Sequence, residues 1–352
     1  MDGHQGGVDQ AGGSVSALRP LHHAESPEPM EAGRFKAACE RILASIGQVV
    51  DGQAEAARLA LTVLLAQGHL LVEDVPGVGK TMLAKTLARS IDCSVSRIQF
   101  TPDLLPSDVT GVSIYNQATR QFEFRPGAVF ANIVIGDEIN RASAKTQSAL
   151  LECMEEHQVT VDGTSYVLSE PFMVVATQNP IEMEGTYPLP EAQRDRFMAR
   201  ISMGYPDAAA EAEMLESHQS ESPLLRVEPV VDAAEIRAMI ATVKDVFVSA
   251  PVRDYTVELG RATRASERIR LGASPRAVLQ LLRAAKARAA LAGRDFVLPD
   301  DVAAMAPEVL THRLVLDRRA SGSGLTAAAV LRAVVDSVPI PITGQSGARR
   351  HG

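Results

Sequence analysis

"LLVEDVPGVGKTMLAKTLA", Leu70 to Ala88, decides how the rest of the chain is read. An apolar run ends in a glycine-bearing turn, and a stretch with Leu83, Leu87 and Ile91 on one stripe follows. Strand, tight turn, helix is the context a phosphate cradle needs. Gly77 and Gly79 allow positive φ and close backbone approach. Successive N–H groups can then converge on phosphate at the helix N-terminus. The candidate nucleotide-binding segment is Asp74, Val75, Pro76, Gly77, Val78 and Gly79, with Lys80, Thr81 and Met82 opening the helix. Lys80 would reach the β- and γ-phosphates of ATP, and the Thr81 hydroxyl would face Mg2+. Asp74 stands where the G-x-x-x-x-G-K-[ST] pattern has its first glycine. Asp tolerates turn geometry, but its carboxylate must point away from the phosphates.

The same texture recurs on either side. "VFANIVIGDE", "PFMVVATQNP" and "MARISMGYP" are apolar runs ending in polar residues, as buried parallel strands do. Ligands gather at the carboxyl edge of such sheets. Asp137 and Glu138 close the first of these runs. Asp137 is placed to hold Mg2+, usually through water, and Glu138 to polarise an attacking water. Asn179 ends the next run and could hold that water or the γ-phosphate. Between these segments, "VSIYN" with "QFEFRPG" reads as one hairpin. "HQVTVDGTSYVLSEPF" reads as a second, turning at "DGTS".

From about Asp207 the strands disappear and helical spacing takes over, in "DAAEIRAMIATVKDVFV", "SPRAVLQLLRAAKARAALAG" and "LPDDVAAMAPEVL". Ser274 and Pro275 fit N-cap and N1 positions, so Arg276 falls in a helix's first turn. A cation there opposes the helix dipole by roughly 0.3–1 kcal/mol. An anion outside the helix should compensate, and a γ-phosphate would do so.

Composition bounds the function. The 352 residues are 46% hydrophobic and 22% charged, enough for a substantial core, with a formal net charge of −8. That acidic balance argues against sequence-independent grip on nucleic acid as the main task. Cys39, Cys93 and Cys153 are far apart, so a disulfide framework is not expected. The first thirty residues lack the apolar core of a secretory signal, and no segment is long and apolar enough for a bilayer. A cytoplasmic protein without membrane insertion is the expectation.

Taken together, "LLVEDVPGVGKT", "GDEINRA", "LLECMEE", "ATQNP" and "YPLPEAQRDRF" resemble the MoxR family of AAA+ ATPases, over roughly Phe35 to Val338. The resemblance implies an α/β fold: a parallel P-loop sheet flanked by helices, plus a C-terminal all-α lid. It also implies that Asp is usual at the position of Asp74. The expected organisation is a tail over 1–31, the ATPase domain over 32–206, a linker over 207–230, the lid over 231–342 and a tail over 343–352. The two hairpins resemble the family's helix-2 and pre-sensor 1 insertions. Arg196 matches the arginine finger delivered to a neighbouring subunit, with Arg194 and Arg200 as alternatives, and Arg276 matches sensor 2. Gly136 and Arg194 depart from the family's usual apolar residues. The resemblance further implies a homo-oligomeric ring, expected as a hexamer, acting on a protein client. It also implies a von Willebrand factor A (VWA) domain partner and a chaperone-like role, often in metal-cofactor insertion. A nucleic-acid motor of the AAA+ helicase kind and a magnesium-chelatase-like motor subunit are the alternatives.

Overall fold

The computed structural model describes residues 27–50, 52–74, 79–179, 187–204 and 223–341. Val75, Pro76, Gly77 and Val78 of the candidate cradle lie outside the described residues, as do residues 1–26, most of the expected linker and the C-terminal tail. Met30, assigned by sequence to the N-terminal tail, is buried and donates its N–H to Thr242 Oγ1 at 2.6 Å.

The expected strands form: β1 (Leu70–Glu73), β5 (Ile133–Asp137), β8 (Met173–Gln178) and β9 (Ala199–Ile201). They join β2 (Val95–Gln99), which sequence reading missed, in one sheet of order β2-β5-β8-β1-β9 with every pairing parallel. β2 is an edge strand in which Ile98 alone is buried, so it lacks the apolar run that marked the others. The chain leaves β1 for the edge at β2, returns through β5 and β8, and finishes at β9 on the other flank of β1. Asp74, the residue after β1, therefore lies beside the carboxyl ends of β8 and β9. That edge is where open parallel sheets bind ligands.

Alternate residues of the buried strands feed two cores, as a period of two requires. Ile133, Ile135, Met173 and Val175 face α1 (Ala32–Gly47), α2 (Ala54–Leu65), α3 (Lys80–Ser90) and the lid. Leu71, Val134, Val174 and Ala176 face α4 (Pro106–Thr110) and α5 (Ala144–Glu156), with Phe100, Leu150 and Phe197 filling the space. A Cβ on Gly136 would stand 3.1 Å from Phe100 Cε2, which explains the glycine in an otherwise apolar strand.

Both hairpins are present. β3 (Gly111–Asn116) pairs with β4 (Gln121–Pro126), and β6 (Gln158–Val161) with β7 (Thr164–Val167). The second turns on Asp162 and Gly163 alone, both at positive φ, as a two-residue hairpin requires. Thr164 and Ser165, read as part of the turn, belong to β7. Phe124 stacks on Tyr166 with ring centroids 4.1 Å apart and ties the two hairpins together.

Beyond a short α6 (Glu191–Arg194) comes the lid: α7 (Ala233–Asp245), α8 (Ala250–Ala265), α9 (Pro275–Leu291), α10 (Pro299–Leu310), α11 (Arg318–Gly322) and α12 (Ala327–Ser337). Its starts follow the sequence signals: Asp232 and Ser274 each accept a helix N–H. The expectation that strands end before the lid needs one correction, an antiparallel ribbon of β10 (Ile269–Leu271) and β11 (Val315–Leu316). One buried arginine joins lid to sheet. Arg313 Nε donates to Asp195 Oδ1 at 2.8 Å, and its terminal nitrogens donate to the carbonyls of Asp195, Phe197 and Met198 and to Gln280. Burial pulls its guanidinium down to about 10, a shift opposed by the Asp195 carboxylate.

Candidate active site

At the carboxyl edge, Gly79 begins α3 at φ +88. A Cβ there would have room, 3.9 Å from Met203 Cε, so the backbone conformation is what favours glycine. Lys80 Nζ donates to the Asp74 carbonyl at 2.6 Å. The Asp74 carboxylate faces the opposite way and is buried. Its Oδ2 accepts the Gly204 N–H at 2.6 Å and the Ser202 hydroxyl at 3.1 Å, while its own N–H donates to Gln178 O. The residue that looked like a defect ties the turn to the segment after β9.

Asp137 ends β5 buried, with the Thr81 hydroxyl 3.3 Å from Oδ1. Thr177 donates to Oδ1 at 3.2 Å, and Arg97 Nε donates to Oδ2 at 2.7 Å. Among the described residues no group of three His, Cys, Asp or Glu forms a ready-made metal cage, the three cysteines included. A hydroxyl and a carboxylate side by side nonetheless fit Mg2+, which takes one or two hard oxygens from protein and the rest from water and phosphate.

Glu138 follows in the left-handed region at φ 58, a conformation costing roughly 1–2 kcal/mol. Its N–H donates to Thr177 Oγ1 at 3.0 Å, so Thr177 holds both acidic residues. The Glu138 carboxylate accepts Gln99 Nε2 at 2.9 Å and pairs with Arg141 Nε at 3.0 Å. Asn179 is buried directly after β8, next to Gln178, whose buried Oε1 has no partner among the described residues. Sequence reading missed Arg97, Gln99, Thr177 and Arg141 as parts of this cluster. Thr177 stood inside a quoted motif, whereas Arg97 and Gln99 lie on the unrecognised β2.

The two candidate catalytic arginines are elsewhere. Arg196 precedes β9, and Met198 N–H donates to the carbonyl of His69, the residue preceding β1, so Arg196 sits at the amino edge of the sheet. Arg196 and Arg276 both pair with Glu155, Arg196 through Nε at 3.6 Å. They line a cavity of about 470 Å3 with Lys244, Arg283, His157 and Glu170. The anion compensating Arg276 in the first turn of α9 is thus Glu155. About 13 Å of β1 separates this cavity from the cradle at the other edge. Of the alternatives to Arg196, Arg200 is paired with Glu73 at 2.7 Å on the cradle side, and Arg194 Nε is buried without a partner among the described residues. Asp195, between Arg194 and Arg196, binds Arg313 and the Ser274 hydroxyl that caps α9.

Residues 69–199 match the family described as "ATPase family associated with various cellular activities (AAA)", and residues 261–334 match the AAA lid domain. The chain is 50% identical to the uncharacterized protein YeaC of Bacillus subtilis, over 84% of this chain and 93% of that one. It is 39% identical to Chaperone MoxR1 of Mycobacterium tuberculosis, over 96% of this chain and 90% of that one. The crystal structure of a candidate ATPase from Cytophaga hutchinsonii superposes with a TM-score of 0.82 at 40% identity, covering 88% of this chain and 97% of that one. Among the described residues no helix is long and apolar enough to cross a membrane.

Proposed function

This chain belongs to the MoxR family of AAA+ ATPases, and from that premise we propose that it hydrolyses Mg-ATP at the junction between neighbouring subunits of a ring. The observation that carries this reading is the separation of the machinery. Asp74, Lys80, the Thr81–Asp137 pair and Glu138 lie at the carboxyl edge of the sheet, while Arg196 and Arg276 lie at the amino edge on Glu155. Neither arginine can serve the cradle of its own chain. A neighbour presenting its amino edge would supply both.

In this reading the turn after β1 and Lys80 bind the triphosphate, and Asp74 holds the turn against β9. Thr81 and Asp137 would hold Mg2+, which supplies charge neutralisation on the β- and γ-phosphates when bound. Arg97 balances the Asp137 carboxylate and must yield part of it to the metal. Glu138 takes a proton from the attacking water, with Gln99 and Arg141 fixing its orientation. Asn179 orients that water or the γ-phosphate. The neighbour's Arg196 and Arg276 would neutralise charge that develops on the transferred phosphoryl group.

The chaperone-like role is carried from the family. We assign the chain to the cytoplasm, as a hexameric ring that remodels a protein client with a VWA-domain partner, with metal-cofactor insertion as one form of that work. The β3–β4 hairpin, which exposes Phe122 at its tip side, is the surface we assign to client or partner.

The test is complementation. Lys80→Ala has a defective cradle and an intact finger edge, and Arg196→Ala has the reverse. Each alone should keep only a small residual turnover. In an equimolar mixture roughly a quarter of random interfaces join two intact halves, and about that share of turnover should return. Assembled mixtures as inactive as the separate variants would remove Arg196 from the trans role.

A further inference from the structure

Glu155 stands out because its charge does not suit its own helix. It lies in the last turn of α5, where an anion opposes the helix dipole. Arg276 is the mirror case, a cation in the first turn of α9. Each charge is misplaced on its own helix and balanced by the other. Glu155 takes a second arginine as well: Oε1 accepts from Arg276 Nη2, and Oε2 pairs with Arg196 Nε at 3.6 Å.

We propose that Glu155 is a positioning residue, holding Arg196 and Arg276 convergent toward the neighbouring subunit's nucleotide; this rests on the trans reading given above. The surrounding wall carries Lys244 and Arg283 in addition to the two arginines. These four cations outnumber the wall's two carboxylates, Glu155 and Glu170, and without the carboxylate they share the two flexible guanidiniums would spread into solvent. Bridging by one carboxylate sets their separation. Arg196 approaches Glu155 through Nε at 3.6 Å, and its two terminal nitrogens form the fork that matches phosphate oxygens. All three side chains remain about one-third exposed, at 32%, 31% and 39% for Glu155, Arg196 and Arg276, so the group is open to a neighbour.

Glu155→Gln keeps the volume and one acceptor but removes the charge, and a merely structural Glu155 would tolerate it. We expect an unchanged melting temperature and an unchanged KM for ATP, because the variant's own cradle is intact. Turnover at saturating ATP should fall by about ten- to a hundredfold, the usual consequence of a catalytic group misplaced by about 1 Å. Mixing Glu155→Gln with Lys80→Ala should restore activity, whereas mixing it with Arg196→Ala should not. Adding Glu155→Gln to Arg196→Ala should slow that variant little further, since residues acting as one unit are not additive. Parental turnover of Glu155→Gln, or rescue by Arg196→Ala, would overturn the proposal while leaving the trans reading intact. Failure of the Lys80→Ala and Arg196→Ala pair to complement each other would overturn both.

Discussion

Replacing Asp74 with glycine restores the general phosphate-loop pattern, and the structure predicts that it harms the protein. The Asp74 carboxylate is buried and, among the described residues, accepts two hydrogen bonds, from Gly204 N–H at 2.6 Å and Ser202 Oγ at 3.1 Å. Hydrogen bonds to a charged partner are worth about 1.5–3 kcal/mol each. Water or local relaxation can recover part of that for Gly204 and Ser202. The added backbone freedom of glycine costs about 0.5–1 kcal/mol more. A net loss of about 3 kcal/mol is the expected size. If it is felt globally, the melting temperature falls by about 6–12 °C, at about 2–4 °C per kcal/mol for a domain of this size. If it is felt in the turn alone, ATP affinity falls by up to about a hundredfold, since 1.4 kcal/mol is tenfold. Thermal denaturation without nucleotide and calorimetric titration with ATP separate the two. Ser202→Ala removes one of the two bonds and should give roughly a third of the effect. If Asp74→Gly matches the parent in both assays, the carboxylate is not an anchor and this reasoning fails.

Glu138→Gln should retain ATP binding and lose turnover by at least about tenfold, because a positioned base contributes roughly 10²–10⁴; near-parental turnover would remove Glu138 from that role. Gly136→Val should lower stability by about 1–3 kcal/mol, because its Cβ alone would stand 3.1 Å from the ring of fully buried Phe100; an unchanged denaturation midpoint would refute that packing. Burial pulls the His69 imidazole down to about 4, and burial beside Arg313 lowers His312 well below the ordinary range. Both imidazoles are therefore neutral in the folded chain, and their contribution is complete above pH 6.5; that of His69 is lost as pH falls toward 4. For His69 alone, unfolding free energy should drop by about 2 kcal/mol between pH 7 and pH 5. Denaturation curves that coincide at those two values would show that neither site excludes the proton.

What the sequence determined by itself was whatever is contiguous or periodic. β1, β5 and β8 read as strands because helices cover both faces of the sheet there, so each is an unbroken apolar run. The candidate phosphate cradle was legible because its strand, glycines and helix are one covalent stretch. The lid helices announced themselves through caps at Asp232 and Ser274. β2 was silent because an edge strand with one buried residue has no apolar pattern to show. Its contributions, Arg97 on Asp137 and Gln99 on Glu138, depend on a register that pairs Gln99 with Asp137 across the parallel sheet. The direction of the Asp74 carboxylate depends on Ser202 and Gly204, which only the closing of β9 against β1 brings near. Glu155, Arg196 and Arg276 come from α5, the segment before β9 and the lid, and the Asp195–Arg313 joint registers the last two. Periodicity and capping are energies of neighbours along the chain, so sequence displays them. The sharing of one carboxylate by two distant arginines is an energy of packing, and it exists only once the sheet, α5 and the lid have closed on one another.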